Sequence, residues 1–164
     1  MKITNELLST LNAGFEDLTF ELGVLSRLDE LGTDENLANY LNQEFELDEV
    51  LDADGEPSGD FEVSHEEKER DAFKVALKLI GADSKQSLLD LLSQRHNKTF
   101  TDLQAFNSFV ESVKDDLIVV AQLDRVQEGL ARFNATSETL NEIEEIKNTQ
   151  LNRLLGTLLQ KVEN

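Results

Sequence analysis

Cysteine and tryptophan are absent from this chain, and it contains only two histidines. Without cysteine, disulfides, thiolate metal sites and a cysteine nucleophile are excluded. The histidines, His65 and His96, stand in predicted loops or helix caps, so we expect ordinary surface side chains. Glu69 occupies the position where a zinc-binding helix starting at His65 would need its second histidine. The sequence therefore offers almost nothing for a histidine-based metal site or catalytic pair.

Long apolar runs are also absent. No segment has the length and hydrophobicity of a membrane span, and the N-terminus lacks the apolar core of a signal peptide. Neither a phosphate-binding glycine loop nor the strand-to-helix turn that presents a catalytic serine occurs. We therefore predict a cytoplasmic protein, located in the host cell if a phage encodes it. We also predict that it does not bind membranes, has no catalytic residues, and needs no cofactor or metal.

Basic residues are scarce. The chain contains 15 Lys and Arg but 34 Asp and Glu, which gives a formal net charge of -19. Residues 1–70 hold 20 acidic and 4 basic residues, whereas residues 71–164 are nearly balanced. Such a field repels nucleic acid and anionic lipid and attracts basic proteins. Direct nucleic acid binding is thus the partner class that we exclude first. The alternative interpretation is that the acidic residues only keep the protein soluble.

Helical spacing of apolar residues dominates the chain and predicts an all-α fold. We expect one domain over residues 1–164, a bundle of five to six helices with a long C-terminal pair. Ser64 and Thr101 begin sequences typical of helix N-termini. The predicted helices, given by their apolar stripes or limits, are Leu8–Leu25, residues 35–49, residues 64–80, Leu88–Leu92, Leu103–Phe133 and Glu138–Val162.

Residues 52–62 interrupt the helical pattern with the only proline, two glycines and five carboxylates. We predict an acidic loop near residues 44–63. A short hairpin is the alternative, because polar and apolar residues alternate at residues 44–47 and 60–63. A calcium loop is a weaker alternative, with Gly59 at the turn position and Asp54 as the first ligand. Against calcium, His65 stands at position 12, where the loop needs a bidentate glutamate.

The charge asymmetry favours a non-catalytic interaction protein that docks on a basic, nucleic-acid-handling protein. It would then act as a DNA-mimic inhibitor, of the kind that phages and mobile elements encode. A row of carboxylates can occupy a cleft that otherwise binds phosphates. The predicted partner-binding residues are Glu44, Glu46, Asp48, Glu49, Asp52, Asp54, Glu56, Asp60 and Glu62.

An oligomeric structural or assembly protein, such as a virion component or scaffold, is the alternative function. The last predicted helix carries a broad leucine stripe that must pack on something. If it packs on a second copy, Leu151, Leu154 and Leu158 are the predicted oligomerisation residues.

Overall fold

The computed structural model describes residues 3–159, and this part of the chain forms six helices and one two-stranded hairpin. The prediction of an all-α fold with about six helices is thus confirmed. The elements in chain order are α1 (Asn5–Leu31), α2 (Asp34–Leu41), β1 (Asp48–Leu51), β2 (Pro57–Glu62), α3 (His65–Ile80), α4 (Lys85–His96), α5 (Leu103–Arg132) and α6 (Ser137–Leu158).

Two compact units divide the described chain, one of residues 3–23 and 90–159 and one of residues 24–89. Helices α1 and α4 each contribute residues to both units. We call the unit of residues 3–23 and 90–159 the terminal unit, and the unit of residues 24–89 the central unit. That residues 1–164 form a single domain stays a prediction.

The terminal unit contains the first part of α1, the end of α4, and the long helices α5 and α6. Its predicted leucine stripes are buried together, and Gly14 lets α1 approach α6 closely. A Cβ on Gly14 would lie 3.0 Å from the Cβ of Leu158. The most deeply buried core residues of this unit are Leu11, Leu18, Leu92, Phe106, Val120, Leu151, Leu154 and Leu158.

The central unit contains the end of α1, then α2, the hairpin, α3 and the start of α4. Thr33 caps α2, its side chain accepting a hydrogen bond from the Asn36 amide at 3.1 Å. The rings of Tyr40 and Phe73 pack edge to face, with centroids 6.1 Å apart. The buried apolar residues here include Leu25, Leu28, Leu37, Phe73, Leu77, Leu88 and Leu89.

The predicted helix over residues 35–49 is wrong in its second half. Helix α2 ends at Leu41, and the following residues run into β1. Asn42 closes the helix through its side-chain amide, which donates to the Ala38 carbonyl at 2.9 Å. Beyond this point the alternation of Glu and apolar residues suits a strand better than a helix. The N-cap of α5 is Asp102 instead of Thr101, and Val162 lies outside the described residues.

Candidate partner-binding hairpin

A hairpin is present, but its first strand is β1 and not the alternating residues 44–47. The carboxylate of Asp52 shapes its turn. The Asp54 and Glu56 amides donate to Asp52 Oδ1 at 2.9 and 3.0 Å. The Asp52 amide in turn donates to the Glu56 carbonyl at 2.8 Å. Gly55 supplies a φ of 80°, which a residue with a side chain rarely adopts. Asp52 therefore has a structural role in addition to its charge.

The two strands pair antiparallel, with an irregularity on β2. Asp48 pairs with Glu62 and Glu49 with Phe61, but the next pair is Leu51 with Pro57. Residues 58–60 thus lie opposite Val50 alone, a bulge that Gly59 permits with a φ of 86°. The Ser58 hydroxyl closes the bulge by donating to the Val50 carbonyl. Strand β1 is the regular strand of the hairpin.

Contacts with α3 hold the base of the hairpin. Asp48 Oδ2 accepts a hydrogen bond from the His65 amide at 3.3 Å, at the first turn of α3. The Arg70 guanidinium lies 5.5 Å from the centre of the Phe45 ring and pairs with Glu67 at 3.1 Å. Arg70 is 8% exposed, so this contact is largely shielded from water. The base is therefore anchored, while the strands extend into solvent.

All nine carboxylates predicted to bind a partner are exposed. Among the described residues, none of the nine forms an ion pair with a lysine, arginine or histidine. Acidic residues elsewhere in the chain often do, as in Glu21 with Arg95 at 3.2 Å. No Lys or Arg occurs between residues 28 and 67. The hairpin is thus a surface of uncompensated negative charge.

Like charges face each other across the strands. Asp48 and Glu62 form a direct cross-strand pair, and such pairs of like charge are destabilising. A two-stranded hairpin is marginally stable by itself, and this pair weakens it further. Local conflicts of this kind are expected at functional sites more than in ordinary structure.

Four large apolar side chains are also exposed on or beside the hairpin, one of them Val63, directly after β2. Leu51 on β1 is 60% exposed, Phe61 on β2 is 59% exposed, and Leu47, directly before β1, is 55% exposed. Residues i and i+2 of a strand share a face, so Leu51 lies on the face of Glu49 and of its pairing partner Phe61. Sequence reasoning emphasised the acidic residues and missed this apolar surface.

The hairpin also spreads apart the residues of the calcium alignment. Ser58, Asp60 and Glu62 lie along β2, where each residue advances the chain by roughly 3.3 Å. Calcium ligands must instead converge to within about 2.3–2.6 Å of one point. Residues 3–159 contain no group of three or more histidine or acidic side chains arranged to hold a metal ion. We do not propose a calcium function.

The predicted oligomerisation residues lie in the core of the chain itself. Leu151, Leu154 and Leu158 on α6 are at most 1% exposed within the terminal unit. This placement corrects their assignment to a surface, because the leucine stripe packs inside the unit. A periodic stripe has the same appearance in both cases, so the sequence did not distinguish them.

His96 is also placed differently from its prediction. It ends α4 and is 8% exposed, whereas we expected a surface histidine. Its ring lies 5.1 Å from the ring of Phe109, in a cluster with Phe100 and Phe106. His65, in contrast, is exposed as predicted and pairs with Glu69 at 3.0 Å.

A buried lysine between α5 and α6 was not predicted. Lys147 is 1% exposed, and its Nζ lies 3.1 Å from Asp124 Oδ1, 2.6 Å from Gln127 Oε1 and 3.1 Å from Glu144 Oε2. A cavity of about 330 Å³ adjoins this group. The three acceptors match the three donors of the ammonium, so the network is a satisfied structural contact.

Comparison with protein-family models, curated proteins and solved structures found no match for this chain. Within residues 3–159, none of the helices combines the length and hydrophobicity needed to cross a membrane. We therefore base the proposed function on the hairpin and its surroundings.

Proposed function

We propose that this protein is a non-catalytic interaction protein whose acidic hairpin docks on a basic surface of another protein. The observation that carries the proposal is the set of nine exposed carboxylates without ion-pair partners among the described residues. Their field attracts a basic partner and favours fast association at low salt.

The cost of this arrangement to the protein supports a functional role. Solubility requires dispersed charge and does not require like charges directly opposite each other. Asp48 and Glu62 repel each other until a cation lies between or beside them. A basic partner therefore relieves a repulsion that the free protein carries.

The proposed partner class is a nucleic-acid-handling protein, and the proposed effect is inhibition by occupation of its nucleic acid site. Such proteins bind phosphates mainly through Lys and Arg. Carboxylates that offer negative charge at the same surface compete with nucleic acid directly. The protein itself would not bind nucleic acid, because its charge has the same sign.

Two matched variants test this proposal. The hairpin variant carries Glu46→Gln, Glu49→Gln, Asp60→Asn and Glu62→Gln, which remove four exposed charges. It leaves out Asp48 and Asp52, because their side chains hold the hairpin. The control variant makes the same chemical changes at exposed positions of α5 and α6, namely Glu111→Gln, Asp115→Asn, Glu142→Gln and Glu145→Gln.

Each protein is immobilised and exposed to nuclease-treated lysate of the source cell at about 0.1 M and about 1 M salt, where the screening lengths are roughly 10 and 3 Å. We expect the wild type and the control variant to retain a basic partner at low salt only. The hairpin variant should lose it. Equal retention by all three proteins would contradict the proposal.

Self-assembly is the second candidate function, and exposed apolar residues of α5 favour it. Val126 is 50% exposed and Phe133, after the end of the helix, is 86% exposed. A second copy would cover these exposed residues, and not the buried leucines of α6. Sedimentation at high salt distinguishes the candidates, because apolar contacts persist there whereas charge attraction is screened. A monomer at every concentration would remove this candidate.

A further inference from the structure

We propose that the hairpin binds its partner by strand addition, with a basic, extended segment pairing along the outer edge of β1. This inference depends on the proposed function and specifies how the same surface recognises its partner. An exposed strand edge presents unpaired amides and carbonyls, which an extended peptide can pair with.

The edge of β1 is available and regular. The described sheet contains only the two strands, so each strand has one paired and one unpaired edge. The edge of β2 is interrupted at residues 58–60 by the bulge, which opposes further pairing. Strand β1 has no such interruption from Asp48 to Leu51, and every side chain of β1 except Val50 is exposed.

A third strand would also give the hairpin stability that two strands alone do not provide. Two-stranded sheets are marginal in water, and three strands with an apolar face are the usual minimum for independent stability. The exposed Leu51 and Phe61 provide the start of such a face. An added strand would cover part of this face and extend it.

Charge selects the occupant of this edge. A second copy of the chain would place further carboxylates beside Asp48 and Glu49, so the acidic residues protect the edge from self-pairing. The same residues favour a strand that carries lysine or arginine. Nucleic acid is disfavoured by its phosphates.

The two faces of the hairpin define the sequence that fits. Asp48, Val50 and Glu62 share one face, whereas Glu49, Leu51 and Phe61 share the other. The first face carries two carboxylates, and the second carries two exposed apolar side chains. Side chains of an added strand alternate between these faces. An added strand lies directly beside β1, and β2 is one strand further away. The segment should therefore alternate basic residues, on the face of Asp48, with apolar residues, on the face of Leu51.

Synthetic peptides with fluorescent labels test this inference on the full chain. The first peptide alternates lysine and valine over the six-residue length of β2. The second has the same composition in two blocks, three lysines and then three valines. The third has the alternating order with methylated backbone amides, so that it keeps its charge but cannot donate backbone hydrogen bonds.

Fluorescence anisotropy at low salt gives the affinities. We expect the alternating peptide to bind at least about tenfold more tightly than the other two, a difference of about 1.4 kcal/mol. Its binding should slow amide hydrogen exchange in β1. Leu51→Thr, which keeps a residue suited to strands, should weaken the alternating peptide and leave the block peptide unchanged.

Equal, salt-sensitive binding of all three peptides would overturn strand addition while leaving charge-driven docking intact. Absence of binding by every peptide would also overturn strand addition. In that case the lysate capture with the hairpin and control variants decides separately whether the acidic surface docks on a folded partner.

Discussion

Replacing Lys147 by methionine should destabilise the terminal unit substantially. Methionine keeps the unbranched apolar stem of lysine and removes only the ammonium. That ammonium lies within 3.1 Å of Asp124 and Glu144 and donates to Gln127. The substitution therefore leaves two carboxylates and an amide oxygen without their common partner.

The magnitude follows from how deeply these groups are buried. Removing one partner of a fully buried ion pair costs about 3–5 kcal/mol, because the other charge is left uncompensated. Here the side chains of Asp124 and Glu144 are 24% and 29% exposed, so water can partly solvate them. We therefore expect the free energy of unfolding to fall by about 2–3 kcal/mol.

Urea denaturation followed by circular dichroism measures this change. Lys114→Met, at an exposed position of helix α5, is the control and should change stability by less than about 0.5 kcal/mol. Adding Asp124→Asn and Glu144→Gln to Lys147→Met should recover part of the loss, since no buried charge then remains unpaired. If Lys147→Met is as stable as the wild type, the ion-pair argument is wrong.

Three further changes test the packing and the hairpin. Gly14→Leu should lower the free energy of unfolding by about 1–3 kcal/mol, because the new side chain clashes with α6. Gly23→Leu, where a side chain meets open space, should raise the free energy of unfolding by up to about 1 kcal/mol. Thermal denaturation of both variants compares them, and equal effects would refute the close approach of α1 to α6. Asp52→Ala should speed hydrogen exchange of the turn amides, measured by NMR, because it removes the carboxylate that accepts from two of them. Asp54→Ala should leave this exchange unchanged. Faster exchange in Asp54→Ala than in Asp52→Ala would contradict the turn geometry. Leu154→Asp should unfold the chain, because it introduces an unpaired buried charge that costs several kcal/mol. A folded variant that sediments as a dissociated monomer would instead assign Leu154 to an interface between copies.

Apolar spacing predicted the helices well, because a buried stripe at helical period is a property of local sequence. Residues 64–80 illustrate this, with Ser64 capping α3 and Gly81 ending it at a φ of 83°. Residues 42–51 were mistaken in part for helix, since short stretches of Glu and apolar residues fit either period. The hairpin alternative was correct in kind, because Asp, Gly and Pro in residues 52–57 favour a turn. Its first strand was misplaced at residues 44–47, whereas β1 is Asp48–Leu51.

Tertiary contacts decided what the sequence could not. His96 is buried because Phe100, Phe106 and Phe109 surround it, and no local pattern marks it as different from His65. Lys147 is buried because Asp124, a residue of α5, lies opposite it across the helix pair. The sequence identifies the acidic residues as a group. Which of these carboxylates form ion pairs depends on tertiary contacts, so only the structure divides them into paired and unpaired.

The salt dependence of binding to the captured partner tests whether the acidic hairpin is the docking surface. The association constant is measured over a series of salt concentrations for the wild type, the hairpin variant and the control variant. We expect a steep loss of affinity with salt for the wild type and the control variant. The hairpin variant should bind more weakly and show a shallower salt dependence. The same affinity and slope for all three proteins would show that the acidic hairpin is not the docking surface.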